Sequence, residues 1–299
     1  MNLIDINTLF GTEEKCRELL VRLRWPEGPR CIRCGGDVAE LETEKQLFYC
    51  KECDYQFSVT AGTVFNDSHL PLVKWFAATL LLCEAKKGMS ACQIQRTLGI
   101  GSYKTAWYLC HRIRSAMNEL EKPMLDGTIE MDETYVGGVK KGIGVKAAKA
   151  AKEVVIGIRQ RNGELRFFHA EDATRETLAK FIRENVSEDV DVLITDDFRA
   201  YTHAVSQFKS RHHRINHTGG VYVDGDIHTN TVESAFSLLK RGIMGTWHKM
   251  SAKHLAAYLD EMCFRFNRRK NPNLFLDTLR HMVTAPVLTF AKLTKETAA

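Results

Sequence analysis

The chain has 299 residues and a mass of 34.0 kDa, enough for about two domains with an apolar core each. Its 44% hydrophobic and 26% charged content is ordinary for a globular protein and excludes a disordered chain. The net charge of +5 is only mildly basic, and with no apolar run of transmembrane length and no signal-peptide pattern the expected setting is the cytoplasm, with no membrane partner.

In chain order, the first element is an amphipathic helix over roughly 12–23, ending before Trp25 and Pro26. Two cysteine pairs follow, CIRC (Cys31, Cys34) and CKEC (Cys50, Cys53), separated by fifteen residues. That is a zinc-site spacing: each pair forms a tight knuckle, and the segment between them reads as strand, turn, strand. Four thiolates on one structural ion would stabilise a segment too small to fold on its own apolar core. Spacing alone leaves iron open in place of zinc, whereas a redox pair or a disulfide framework fits a cytosolic chain poorly. Cys16, Cys83, Cys92, Cys110 and Cys263 stand singly in helical patterns and read as small buried hydrophobes.

A second helix starts near Pro71, with Leu72, Trp75, Phe76, Thr79, Leu80 and Cys83 at helical spacing. Then MSACQIQRTLGIGSYKTAWYLCHRIRSAM predicts a short helix entered at Ser90, a turn at Gly99 to Gly101 and a longer helix capped by Ser102. This is the pattern of a helix-turn-helix, with Lys104, Thr105 and Tyr108 near the front of the second helix, or of a plain helical hairpin; the neighbouring ribbon favours the DNA-binding reading.

From Asp126 the periodicity changes from helical to alternating. A strand over about 128–135 is followed by a hairpin, VVIGIRQ and ELRFFHA, turned at Arg161, Asn162 and Gly163. Between strand and hairpin, 139–152 reads as a basic loop. A helix over about 174–186, the strand DVLITDD, a helix from near Ala200, a strand around His213 to His217 and a helix beginning near Val232 complete the pattern. Strand, strand, strand, helix, strand, helix, strand, helix is the order of a ribonuclease H-like domain. The expected fold is α+β: helix and zinc ribbon over 1–66, a helix-turn-helix-like region over 67–125, and a ribonuclease H-like mixed α/β domain with C-terminal helices over 126–299.

In that order Asp132 lies on the first strand, Asp196 at the end of the fourth, and Glu233 on the closing helix. Magnesium takes hard oxygen ligands, so carboxylates converging from distant parts of the chain point to a metal-dependent, nuclease-type site. Asp197 is an alternative to Asp196. Glu133 is expected on the opposite strand face from Asp132. His228 reads as a residue supporting the site or contacting DNA, and Asp224 and Asp226 as solvated turn residues. Lysine and arginine clusters suit DNA phosphates: Lys140, Lys141, Lys146, Lys149 and Lys152; Lys240, Arg241 and Lys249; and Arg265, Arg268, Arg269 and Lys270.

CIRCGG, CKEC, MDETYVGG, TDDFRAY, HTNTVESAFSLLKRGIMGTWHKMSAKHL and YLDEMCFRFNRR together resemble the zinc-ribbon group of DDE-type transposases of bacterial insertion sequences, over about 25–269. The resemblance implies that Asp132, Asp196 and Glu233 are the catalytic acids, and Lys240 the basic residue seven positions after the third acid. It also admits Asn230 as an alternative to Glu233. Seven residues make nearly two helical turns, so Glu233 and Lys240 share a helix face. The implied cofactors are a structural Zn²⁺ and two catalytic Mg²⁺ or Mn²⁺ ions. The implied activity is cleavage at element ends and strand transfer of the 3′-hydroxyl into target DNA, in a homo-oligomer that joins two ends. A metal-dependent nuclease or resolvase, or a zinc-ribbon DNA-binding regulator, is the rival function.

Overall fold

The computed structural model describes residues 2–41, 46–119, 122–137, 152–205, 208, 211–215, 225–248 and 250–295. The expected basic loop lies outside them except for Lys152, as do Lys249, Asp224 and His217. The chain forms two compact units, Met1–Asn118 with Arg268–Ala299, and Glu119–Asn267. The expected third domain, 126–299, is therefore divided: its last segment clusters with the N-terminal unit.

The first unit opens with α1 (Leu3–Phe10), which the sequence reading passed over, and α2 (Glu13–Arg24), capped by Thr12 through its bond to the Lys15 amide. A small antiparallel sheet follows, of β1 (Val38–Leu41), β2 (Leu47–Cys50) and β3 (Gln56–Phe57), one strand more than expected. Trp25, Phe48 and Phe57 pack edge to face or tilted against one another, a small aromatic core beside the cysteine pairs. Then come α3 (Leu72–Glu84), α4 (Ala91–Thr97) and α5 (Tyr103–Ser115), the last two capped by Ser90 and Ser102 as their sequences predict. The returning segment supplies α10 (Leu274–Thr284) and α11 (Phe290–Thr294). Phe275 meets Phe76 and Phe10 at ring distances of 5.9 and 6.4 Å, so α10 completes this unit's core.

In the second unit short runs, most of them rich in Val, Ile, Leu and Phe, produce five strands. They are β4 (Thr128–Val136), β5 (Glu153–Gln160), β6 (Leu165–Ala170), β7 (Val192–Asp196) and β8 (His212–Ile215), in spatial order β6-β5-β4-β7-β8. The β4-β5 and β5-β6 pairs are antiparallel; β4-β7 and β7-β8 are parallel. One face packs Ile129, Met131, Ile156 and Ile158 against α6 (Arg175–Asn185) and α7 (Arg199–Ala204) through Leu178, Ile182 and Tyr201. The other packs Val155 and Phe167 against α8 (Asn230–Gly242) and α9 (Ala252–Asn267). Strands with apolar residues on both faces require such a cover of helices on each side. This is the mixed, helix-covered sheet of a ribonuclease H-like domain. A π-helical turn, Ile243–Trp247, continues α8 and has no counterpart in the sequence reading.

Four single cysteines are buried as expected, but Cys92 is exposed on α4, where the short helix turns it outward. Among the described helices none is long and apolar enough to cross a membrane.

Candidate metal centres and active site

Among the described residues two groups of side chains are arranged so that their donor atoms lie within 4.8 Å of one another: Cys31, Cys34, Cys50 and Cys53, and Asp132, Glu133 and Asp196.

The thiol group is built by two similar turns. After the first pair Gly35 takes φ +78°, and after the second Asp54 takes φ +54°. In each, the amide of that residue donates to the carbonyl of the pair's first cysteine, Gly35 to Cys31 at 2.9 Å and Asp54 to Cys50 at 3.1 Å. Glycine adopts that backbone without cost, and aspartate is among the few side chains that tolerate it. Sulfur-to-sulfur distances are 3.7 Å for Cys31 to Cys53 and 3.4 Å for Cys34 to Cys50. A tetrahedron with Zn–S bonds of about 2.3 Å has an edge of about 3.8 Å, so four soft donors at this separation fit zinc.

The carboxylate group sits where β7 ends. Parallel pairing runs from Thr128↔Val192 to Met131↔Thr195, so Asp132 and Asp196 are the next residues on adjacent strands. The Asp132 Oδ1 accepts from the Glu133 amide at 2.8 Å, and the Asp196 Oδ1 from the Phe198 amide at 3.0 Å. Burial, then Glu133, Asp196 and Glu233, push the Asp132 carboxyl up to about 8. Converging acids of this kind are stabilised by a bound cation.

Glu133 stands on the face of β4 opposite Asp132, as strand alternation predicts, since Asp132 pairs with Gly157 and Glu133 with Ile156; what alternation does not predict is the reach of its side chain. Its carboxylate joins the cluster, with Oε2 accepting from the Tyr201 hydroxyl at 3.1 Å. A strand separates the two faces of a sheet only where its neighbours continue. Ladder pairing between β4 and β7 stops at Met131, so the longer glutamate side chain reaches the opening beyond it. Asp197, the alternative to Asp196, lies outside the cluster, exposed and 3.5 Å from Arg214. Asn230 is exposed at the first position of α8.

Glu233 is not among the three clustered carboxylates. Its Oε1 accepts from the Thr229 hydroxyl at 2.8 Å, and it is close enough to act on Asp132 electrostatically. Lys240 lies exposed on the same helix. Close packing of α8 on the sheet depends on Gly157, which pairs with Asp132: a Cβ there would stand 2.6 Å from Phe236 and 3.0 Å from Val232. Sequence reasoning missed this position, although a glycine inside the apolar strand VVIGIRQ is the signal for close approach.

His228 faces inward, its Nδ1 3.4 Å from Glu130 Oε1 and 3.1 Å from Arg161 Nη2. Asp226 is exposed in a turn, as expected. Arg265 is withdrawn from the third basic cluster: buried on α9, it pairs with Glu261 at 3.0 Å. At the front of α5, Lys104 lies 4.3 Å from the Phe290 ring centre and the Tyr108 hydroxyl donates to the Leu288 carbonyl at 2.5 Å, so Tyr108 is engaged in packing.

Residues 124–267 match the ISXO2-like transposase domain, and residues 11–56 the transposase zinc-ribbon domain. Over 251 residues, 78% of this chain and 83% of the relative, the sequence is 30% identical to a Halobacterium salinarum protein described as an uncharacterized protein in transposable element ISH50. The four cysteines and the three clustered carboxylates thus each fall within a matched segment of this chain. The chain belongs to the zinc-ribbon group of DDE-type insertion-sequence transposases.

Proposed function

We propose that this transposase binds the ends of its insertion sequence and catalyses metal-dependent cleavage of DNA and transfer of the freed 3′-hydroxyl to target DNA. The observation that carries the reading is the convergence of Asp132, Glu133 and Asp196 at the end of β7, inside the matched transposase domain. In this reading Asp132 and Asp196 hold divalent cations, Mg²⁺ or Mn²⁺, with Glu233 presented from α8. Such ions, when bound, supply Lewis-acid stabilisation of the charge that develops on the phosphoryl oxygens during in-line displacement. Tyr201 holds the Glu133 carboxylate toward the cluster. Lys240 neutralises a DNA phosphate nearly two helical turns beyond Glu233. Cys31, Cys34, Cys50 and Cys53 bind zinc and shape the ribbon, which with the α4–α5 pair contacts the terminal repeats; the exposed Tyr103, Lys104 and Thr105 are the side chains available there. Joining two ends requires a homo-oligomer on DNA.

An oligonucleotide assay with DNA ends cloned from the flanks of the gene tests this reading. Nicking followed by joining to a second duplex is the expected result. Cutting without joining assigns a nuclease or resolvase, and binding without cutting assigns a regulator.

A further inference from the structure

Two residues before Asp132, on the same face of β4, stands a glutamate that takes no part in the proposed chemistry. Glu130 is fully buried. Its Oε2 accepts from the amides of Thr231 and Val232 at 2.9 and 3.0 Å and from the Thr231 hydroxyl at 2.7 Å. Its Oε1 accepts from Arg161 Nε at 2.7 Å and lies 3.4 Å from His228 Nδ1. Arg161 in turn donates to the carbonyls of His228 at 3.0 Å and Asp226 at 2.6 Å, the chain that leads into α8.

Thr231 and Val232 are the second and third residues of α8. Their amides are the ones that a cap side chain ordinarily satisfies. The cap residue, Thr229, makes no such bond; its hydroxyl donates to Glu233 Oε1 instead. A carboxylate 101 residues away in sequence therefore does the capping, and the local cap side chain orients Glu233. A negative charge at a helix N-terminus is also favoured by the helix dipole. The arrangement ties two strand positions to two helix positions. Glu130 and Asp132 lie on one face of β4, about 7 Å apart along the strand, and α8 carries both the capped amides and Glu233.

We propose that Glu130, with Arg161 and His228, is a positioning set that fixes the separation of Glu233 from Asp132 and so builds the cation site from two elements. In this role Glu130 acts through α8 and is not itself a ligand. The proposal rests on the reading of Glu233 as a site carboxylate. If stability alone were required at this place, an uncharged cap and apolar neighbours would serve, since burying a carboxylate and a guanidinium costs desolvation that their attraction only partly offsets.

The test uses the full-length protein and Mn²⁺ alone as probe. Glu130→Gln and Arg161→Lys alter the charge network, Thr231→Val removes only one donor to Oε2, and Glu233→Ala is made in parallel. Three quantities are read: Mn²⁺ affinity without DNA, hydrogen exchange of the α8 first-turn amides, and kcat against KM for cleavage of an end oligonucleotide. Glu130→Gln is expected to speed exchange at Thr231 and Val232, weaken Mn²⁺ by about tenfold and lower kcat by a similar factor with KM unchanged. Thr231→Val should shift the same readouts in the same direction by less, and it decides the matter should Glu130→Gln fail to fold. Folded variants with faster exchange but unaltered Mn²⁺ affinity and kcat overturn the proposal and leave a purely structural cap. Wild-type Mn²⁺ affinity and cleavage in Glu233→Ala would instead remove Glu233 from the site and the premise with it, whatever the exchange data show.

Discussion

A carboxylate with three carboxylate neighbours resists ionisation until a cation arrives, and Asp132 is such a group, pushed up to about 8 with burial as the largest cause. Replacing Asp132 or Asp196 by Ala is expected to lower end cleavage by about 10³-fold or more while DNA binding persists, because residues acting as a unit fail together. Asp197→Ala should cleave normally, since its partner is Arg214 at the surface. Gel-based cleavage beside a binding assay checks all three. The sequence motif TDD could not separate the two aspartates; the register of β7 against β4 does. Asp260 on α9 offers a pH test away from the site. Burial raises its carboxyl from 3.8 to about 6, with Lys122 opposing. A folded-state value above the unfolded one means that its contribution to stability is full below the unfolded value and is lost as pH rises through the folded one. Asp260→Asn should therefore be more stable than the parent above pH ~6, the difference vanishing below pH ~4, as denaturant midpoints at several pH values would show.

At the scale of elements, two helices take their caps from a distance. Pro71 and Thr229 supply no side-chain cap to α3 and α8, and the carboxylates of Glu13 and Glu130 bond the amides there. Caps of this kind leave no local motif, whereas Ser90 and Ser102 stand beside the helices they cap and were legible at once. The ribbon was legible for a similar reason: both knuckles are local turns of about five residues. Cys31→Ser should lose tightly bound zinc and unfold the ribbon locally, with specific end binding weakened and nonspecific nicking retained. Metal analysis and proteolysis of the variant measure this, and a parent protein without tightly bound zinc or iron would refute the assignment. On α8, Lys240→Ala is expected to weaken DNA binding across sequences and to reduce the salt slope by about one unit. Equal slopes for variant and parent would return Lys240 to the solvated surface.

For the whole molecule, the expected end of the third domain was misplaced because helical periodicity reports that a segment has an apolar face, not which core receives it. The face of α10 presents Phe275, Leu279 and Met282, and these could pack on any apolar surface. Phe275 in fact meets Phe10 and Phe76. Phe275→Ala is therefore expected to cost about 3–5 kcal/mol in the unit that contains α1 to α5 while the five-stranded sheet is unaffected. Hydrogen exchange resolved by segment checks this, and loss of protection in β4 and β5 would contradict it. By itself the sequence determined most of the elements and their order, the cysteine pairs, several local caps and the acids that carry the family resemblance, because these depend on spacing along one stretch of chain. Tertiary structure alone decided that Glu133 joins Asp132 and Asp196, that Glu130 caps α8, that Gly157 admits Phe236, and that α10 returns to the first unit. Each of these is a contact between residues far apart in sequence, set by where a neighbouring strand stops or how closely a helix approaches, and no periodicity within one segment encodes such a distance.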